Sequence, residues 1–248
     1  MKSFGLTDKG KVRKDNQDCF IIESCPVRSC LIAALCDGMG GENAGEIASA
    51  VANKAFVSYI YDRLTSRTIK NVNYKEVLTN ACAEANGVAY EYSLFDKAYS
   101  GMGTTLVGGV IKSGGNGYII NVGDSRAYHI SKRANSIYQI TRDHSLVEEL
   151  VEVGAITKEQ ARLHPQKNVI TRALGSEAEV RPDYFEFTLQ PGDILLLCSD
   201  GLSNMVTDLE MLEYAKEYQD PELICRALMS KALIRGARDN VTVVAVMR

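Results

Sequence analysis

The sequence predicts an α+β fold in which antiparallel sheets stack as a sandwich and helices cover the outside. Three observations predict it. Short apolar runs rich in β-branched residues recur along the 248 residues. Neighbouring runs are joined by turn chemistry suited to hairpins. Long amphipathic segments come in pairs between groups of strands, whereas a parallel doubly wound sheet alternates strand and helix one by one.

Taken in order, the predicted strands are Cys19 to Glu23, Cys30 to Cys36, Thr104 to Ile111, Tyr118 to Val122, Ala127 to Ile130, Tyr184 to Leu189, Ile194 to Cys198 and Val241 to Met247. Lys112-Ser113-Gly114-Gly115-Asn116-Gly117 reads as a hairpin loop and Gln190-Pro191-Gly192-Asp193 as a second turn. The first helix runs from Glu42, with Ala44, Ile47, Ala48, Val51, Ala52, Ala55, Phe56, Tyr59 and Ile60 at helical spacing. The second runs from Tyr74 to about Phe95 through Val77, Leu78, Ala81, Ala85, Val88 and Ala89. Two more helices come late. Thr207-Asp208-Leu209-Glu210 is a capping box, and Asp220-Pro221 places an N-cap before a proline at the first helical position. Thr141 to Val180 is polar and holds one short capped helix starting at Thr157-Lys158-Glu159-Gln160. It reads as a flap, about residues 145–180, on a single domain spanning 1–248.

A formal net charge of −3 argues against nucleic acid as the main partner, because binding a phosphate backbone calls for a basic face. Any phosphate must then be held by a placed Arg or a metal ion. No run approaches the ~20 apolar residues of a membrane-spanning helix. Met1-Lys2-Ser3-Phe4-Gly5 lacks the apolar stretch of a secretory signal. The seven cysteines include no C-x-x-C pair, which suggests neither zinc nor a disulfide framework. The expected compartment is the cytoplasm.

One pattern repeats. Leu35-Cys36-Asp37-Gly38-Met39-Gly40-Gly41 places an Asp where an apolar strand ends in glycines, and Leu197-Cys198-Ser199-Asp200-Gly201 does so again. Asn121-Val122-Gly123-Asp124-Ser125-Arg126 and Ala237-Arg238-Asp239-Asn240 are two further cases. Singly, each is an ordinary turn or helix cap. Gathered into one cleft they would repel, by about 4 kcal/mol for a pair ~4 Å apart at an effective dielectric near 20. Such a cluster takes up protons or binds cations, and an all-oxygen set suits magnesium or manganese rather than zinc. A basic partner stands early, in Gly10-Lys11-Val12-Arg13-Lys14-Asp15-Asn16-Gln17-Asp18, where Arg13 is either part of a solvated loop or a two-pronged phosphate grip.

Together these segments resemble the metal-dependent protein phosphatase family, also called type 2C, in particular its compact bacterial members. The resemblance also takes in Gly101-Met102-Gly103-Thr104-Thr105, Thr141-Arg142-Asp143-His144-Ser145 and Ile170-Thr171-Arg172-Ala173-Leu174-Gly175, in the family's order and over nearly the whole chain. It implies a four-layer αββα sandwich, two antiparallel sheets flanked by helix pairs, with two to three Mn2+ or Mg2+ ions in a cleft at one end. Asp37 would bridge two metals with the Gly38 carbonyl completing one site, and Asp200 and Asp239 would hold the other. Asp18 would act through a metal-bound water, Asp124 at a weaker third position, and Arg13 on the substrate phosphate. The implied reaction is hydrolysis of phosphoserine and phosphothreonine in proteins by a metal-activated water. The implied partners are phosphorylated proteins, including a cognate serine/threonine kinase and its targets, with the enzyme a monomer.

One departure concerns the leaving group. Some family members carry His where this chain has Met39, and Met supplies no proton. Of the three histidines, His129 reads as structural in a strand and His144 as a fold-stabilising contact where the flap begins. Three rival functions fit less well. The glycines after Asp37 miss the G-x-G-x-x-G dinucleotide spacing, and Glu42 and Glu46 would repel a pyrophosphate. A non-catalytic module on the same fold should have lost carboxylates that this chain retains. No G-x-S-x-G elbow is present for a Ser-His-Asp hydrolase.

Overall fold

The computed structural model describes residues 1–41, 44–68, 71–95 and 97–248. Among them run β1 (Lys2–Asp8), β2 (Asp18–Cys25), β3 (Cys30–Met39), α1 (Ala44–Thr65), α2 (Tyr74–Phe95), β4 (Gly103–Thr104), β5 (Leu106–Lys112), β6 (Asn116–Val122), β7 (Arg126–Ser131) and β8 (Ser136–Gln139). They are followed by α3 (Leu146–Glu152), α4 (Lys158–Leu163), β9 (Asp183–Thr188), β10 (Ile194–Cys198), α5 (Asp200–Ser203), α6 (Asp208–Glu217), α7 (Pro221–Ile234) and β11 (Val241–Met247). Glu42, the expected start of the first helix, lies outside the described residues.

The strands form two antiparallel sheets. One has the order β1-β11-β10-β7-β8; the other has the order β2-β3-β5-β6-β9, with β4 pairing β3. Alternation along each strand sets the layers. In β3, Leu31, Ala33 and Leu35 join Val107, Ile119, Leu195, Leu197, Val244 and Val246 in the core between the sheets. The intervening Ile32, Ala34 and Cys36 face α1 and α2, through Phe56, Ile60, Leu78 and Ala81. On the other sheet Leu196, Cys198, Val243 and Ala245 face Met211 of α6 and Leu228 of α7. The result is the expected order of helix pair, sheet, sheet, helix pair.

The capping signals act as read. The Thr157 and Thr207 side chains accept from the Gln160 and Glu210 amides, each in a capping box, and Asp220 caps α7 ahead of Pro221. Two expectations need correction. The run Thr104 to Ile111 is broken at Thr105, whose amide donates to the Asp37 carbonyl at 2.8 Å and so leaves the ladder. Asp37, expected at a strand end, lies within β3, which continues to Met39.

Leu35→Ala, in the fully buried layer between the sheets, should cost about 2–5 kcal/mol in urea unfolding. Leu209→Ala, at a side chain 71% exposed on α6, should stay within about 0.5 kcal/mol.

Candidate metal centre

The site forms where the core between the sheets runs out of apolar residues. Continuing the alternation of Leu31, Ala33 and Leu35 puts Asp37 on the inner face. Its direct cross-strand partner is Asp18, the first residue of β2. On the facing sheet the inner-face series Leu195, Leu197 continues to Ser199, and Val246, Val244 continues to Thr242. These two hydroxyls meet Asp18: its Oδ2 accepts from Ser199 Oγ at 2.8 Å and from Thr242 Oγ1 at 2.6 Å. The other oxygen, Asp18 Oδ1, is buried and has no hydrogen-bond partner.

The Asp37 peptide is held from three directions. Its amide donates to Thr105 Oγ1 at 3.0 Å, and its carbonyl accepts from the Thr105 amide and from Thr104 Oγ1 at 2.9 Å. Thr105 Oγ1 lies 2.7 Å from Ser125 Oγ, which ties β3 to the turn carrying Asp124. Next to Asp37, the Gly38 amide donates to the Gln17 carbonyl at 3.1 Å. A Cβ at Gly38 would stand 2.0 Å from the Gly45 carbonyl oxygen at the start of α1, so the strand passes here only without a side chain.

Asp200 opens α5 directly after Ser199, and Asn204 Nδ2 donates to its Oδ2 at 3.1 Å. Asp239 precedes β11 and accepts from Arg13 Nη2 at 2.8 Å through Oδ2. The two side chains are 55% and 38% exposed, so this pair contributes at most about 1 kcal/mol and Arg13 is free to exchange partners.

Electrostatics places these carboxylates in one field. Burial, then the charges of Asp18, Asp200, Asp124 and Asp239, hold Asp37 well above the ordinary carboxylate range. Burial pushes Asp18 up to about 6, against the pull of the Thr242 and Ser199 hydroxyls. Burial and the Asp239 charge push Asp200 up to about 6, while Arg126, Lys167 and Arg13 oppose the shift. Asp124 is pushed up to about 8 by burial, Asp200 and Asp143. Arg13 is raised by its bond to Asp239, with Asp37 and Asp200 adding to the same field. All the sequence-predicted carboxylates and Arg13 are therefore brought together.

Sequence reasoning missed the groups that hold this set: Ser199, Thr242, Thr105, Ser125, and the half-buried Arg126 paired with the buried Asp143 at 2.7 Å. Strand parity was the available signal for Ser199 and Thr242, both in register with inner-face residues. The histidines are engaged elsewhere. His129 Nε2 meets Asp193 Oδ2 at 2.7 Å. His144 Nδ1 accepts from the Gly123 amide at 3.1 Å, and Nε2 lies 3.3 Å from Asp183. Burial lowers its pKa, so it stands as a neutral fold contact. Met39 lines a cavity of about 450 Å3 with Thr171, Arg172 and Ser176. A second cavity, of about 420 Å3, extends from Asp124 and Asp200 to Lys158, Arg162 and Lys167 of the segment that carries α4.

The donor set fits hard divalent cations. It offers carboxylate oxygens, a glycine carbonyl and one orphaned buried oxygen, and its charges are unbalanced without cations. As the side chains stand, no group of three His, Cys, Asp or Glu among the described residues forms a ready-made cation shell. Asp239 is turned to Arg13, and Asp18 is bonded by two hydroxyls through one oxygen.

The pattern of the protein phosphatase 2C family matches residues 9–233. The serine/threonine phosphatase stp of Listeria welshimeri is 38% identical over 246 residues, covering 98% of this chain and 94% of the relative. The solved serine/threonine phosphatase Stp1 of Staphylococcus aureus superposes with a TM-score of 0.90 at 36% identity, covering 99% of this chain and 94% of that one. The catalytic domain of the phosphatase PstP, solved in complex with two manganese ions, superposes with a TM-score of 0.82 at 32% identity, covering 98% and 96%.

The raised carboxylates set a pH dependence. A folded chain that keeps protons the unfolded chain has released is fully stabilised by them below the unfolded carboxylate pKa of about 4, and loses that stability as pH rises through the folded value. For Asp124 that loss runs from about pH 4 to about pH 8 and is complete above it. In chelator, the urea midpoint should fall between about pH 6.5 and pH 8, Asp124→Asn should flatten the slope over that range, and saturating Mn2+ should remove it. A wild-type slope unchanged in Asp124→Asn contradicts the assignment.

Proposed function

Because this chain belongs to the protein phosphatase 2C family and is a metal-dependent serine/threonine phosphatase, we propose that Asp37, the Gly38 carbonyl, Asp200, Asp239, Asp18 and Asp124 form its metal centre and that Arg13 binds the substrate phosphate. The observation that carries this reading is the shared field of five aspartates from separate parts of the chain, with one exposed guanidinium at its edge. Asp37 is central: the other four all act on it. It would serve two ions, with Asp200 and Asp239 holding one of them and Asp124 a weaker third. Asp18, deeply seated and bonded through Oδ2, leaves the buried Oδ1 without a partner, as a group acting through an ordered water requires. The ions are Mn2+ or Mg2+, two to three in number, matching the oxygen donors and the two manganese ions of the PstP relative. When bound, such ions activate water for in-line attack on phosphorus and offset the charge that develops on its oxygens.

The chain's own residues do the rest. Arg13 presents two parallel donors to the phosphate oxygens from a loop that solvent and substrate both reach. A cysteine nucleophile is disfavoured. Cys19, Cys36 and Cys198 are the thiols beside site aspartates in sequence; burial raises Cys19 above its ordinary value and Cys36 well above it, and pushes Cys198 up to about 12. Residues 145–180 act as a flap on a single domain of residues 1–248, forming one wall of the cavity beside Asp124 and Asp200 with Lys158, Arg162 and Lys167. The substrates are phosphorylated proteins. We place a cognate serine/threonine kinase and its targets among them, and a monomeric enzyme in the cytoplasm, without nucleic-acid or membrane partners. The net charge of −3 supports this, and no described helix is long and apolar enough to cross a membrane.

Calorimetric titration with Mn2+ tests the ranking of ligands. Asp37→Asn should lose the tight sites and lower kcat/KM on a phosphopeptide by more than the roughly 100-fold that changes behind a metal ligand cost. Asp124→Asn should remove only the weak site. If Asp124→Asn abolishes the tight sites and Asp37→Asn keeps them, the assignment is wrong. Arg13→Lys keeps the charge but loses the planar fork. It should leave Mn2+ affinity intact and lower kcat/KM by roughly 10-fold or more, about 1.4 kcal/mol of transition-state binding. Wild-type efficiency in Arg13→Lys on both phosphopeptide and aryl phosphate withdraws its role.

A further inference from the structure

We propose that Asn240 is a positioning residue for the phosphate-binding arginine: its buried carboxamide clamps the loop that carries Arg13 and so sets where the guanidinium stands. The inference rests on the reading of Arg13 given above.

Residues 9–17 join β1 to β2, and residues 11–15 of this loop are exposed. Val12 is 66% exposed, so apolar packing does not fix the tip. One side chain makes three of the bonds that fix the stem, beside those from Asn16 Nδ2 to Thr7 Oγ1 and from the Gly10 amide to Asp8 Oδ1, each 2.8 Å. Asn240, only 5% exposed, accepts from the Gln17 amide through Oδ1 at 2.9 Å. Its Nδ2 donates to the Lys9 carbonyl at 3.0 Å and to the Asp15 carbonyl at 2.9 Å. These bonds reach both ends of the loop and the residue two beyond Arg13. They also explain the residue type. The clamp needs an acceptor and two donors on one short planar group; Asp offers no donor, and Ser cannot span both carbonyls. The backbone seats against the same segment: the Lys11 amide donates to the Ala237 carbonyl at 2.9 Å, and Gly10, at φ +76°, lies where a Cβ would stand 2.2 Å from the Asp239 carbonyl oxygen. Asp239 meets the tip of the loop and Asn240 its stem, so two adjacent residues of the chain hold the grip at one place.

A double-mutant cycle on a phosphopeptide at saturating Mn2+ tests the inference. Asn240→Ser should lower kcat/KM by roughly 10- to 100-fold, as misplacement of a binding group by about 1 Å does, and should raise KM more than it lowers kcat. Mn2+ affinity by calorimetry should be unchanged. In the Arg13→Ala background the same substitution should change kcat/KM by less than about twofold, because the group it positions is already gone. An equal loss in both backgrounds, or a loss of Mn2+ affinity, overturns the inference and leaves the Arg13 reading standing. Arg13→Ala at wild-type efficiency removes both. Should Asn240→Ser be too unstable to assay, hydrogen exchange on the wild-type enzyme decides. The Gln17 amide should be as protected as the amides of β2, and rapid exchange there overturns the clamp.

Discussion

The bond set on Asp18 is the constraint on which the site depends. One buried carboxylate oxygen takes hydroxyl hydrogens from Ser199 and Thr242, both on the opposite sheet, while its own strand holds it directly across from Asp37. Between the sheets, the layer next to this point is apolar, and the buried pair of His129 with Asp193 lies farther along it. Asp18 therefore closes the sandwich and starts the polar cleft with the same atoms. Hydrogen bonds to a charged group contribute about 1.5–3 kcal/mol each, and removing one partner leaves a buried group uncompensated. The ladder of eight residue pairs sets the register of β2 on β3, Asp18 ties that register to the facing sheet, and the position of Asp37 follows from both.

The same arrangement works against the folded chain. Raised carboxylates at Asp37, Asp18, Asp200 and Asp124 mean that folding brings together charges that water would keep apart. The apolar layers supply the stability that allows it: three stacked cores hold the strands that deliver each Asp. Divalent cations that bind the folded state alone add to that stability by mass action. On the proposed assignment, stability and activity share one ligand set, as expected where a site is assembled from like charges.

The sequence showed the elements with strong local signals. Ile194–Cys198, Val241–Met247 and Tyr74–Phe95 have the bounds read from apolar runs and periodicity. What it hid has physical causes. Lys2–Asp8 forms β1, yet it is an edge strand with little buried surface, so its alternation is weak. Ser136–Gln139 is too short to stand out, as are Leu146–Glu152 and Asp200–Ser203. Beyond the β5–β6 hairpin that its loop announced, which strands pair could not be read, because β1 pairs with β11 across almost the entire chain. In the site, Asp37 and Asp200 announced themselves by a following Gly, Asp124 by a preceding apolar run and Asp239 by the apolar strand that follows it, whereas Asp18 carries no such signal. The hydroxyls of Ser199, Thr242, Thr105 and Ser125 carry no such mark and become visible only when strand parity is combined with knowledge of which sheet faces which.

Burial separates the two kinds of task in this cleft. The carboxylates sit on or beside strands and keep at most a partial edge toward solvent, so their geometry is set by the sheets. Arg13 stands on an exposed loop with a partner that it can leave at small cost. That division suits the chemistry. A metal shell gains from oxygens that do not move, since each ångström of drift weakens a short, strong contact. A phosphate must arrive, be gripped and leave, so its partner gains from a place at the surface and a weak resting bond. The difficulty is that an exposed loop also wanders. The chain meets it by anchoring the stem to the segment that ends in β11, through the Ala237 carbonyl and the groups on either side of it. The tip keeps its freedom while its base has the rigidity of the sheet.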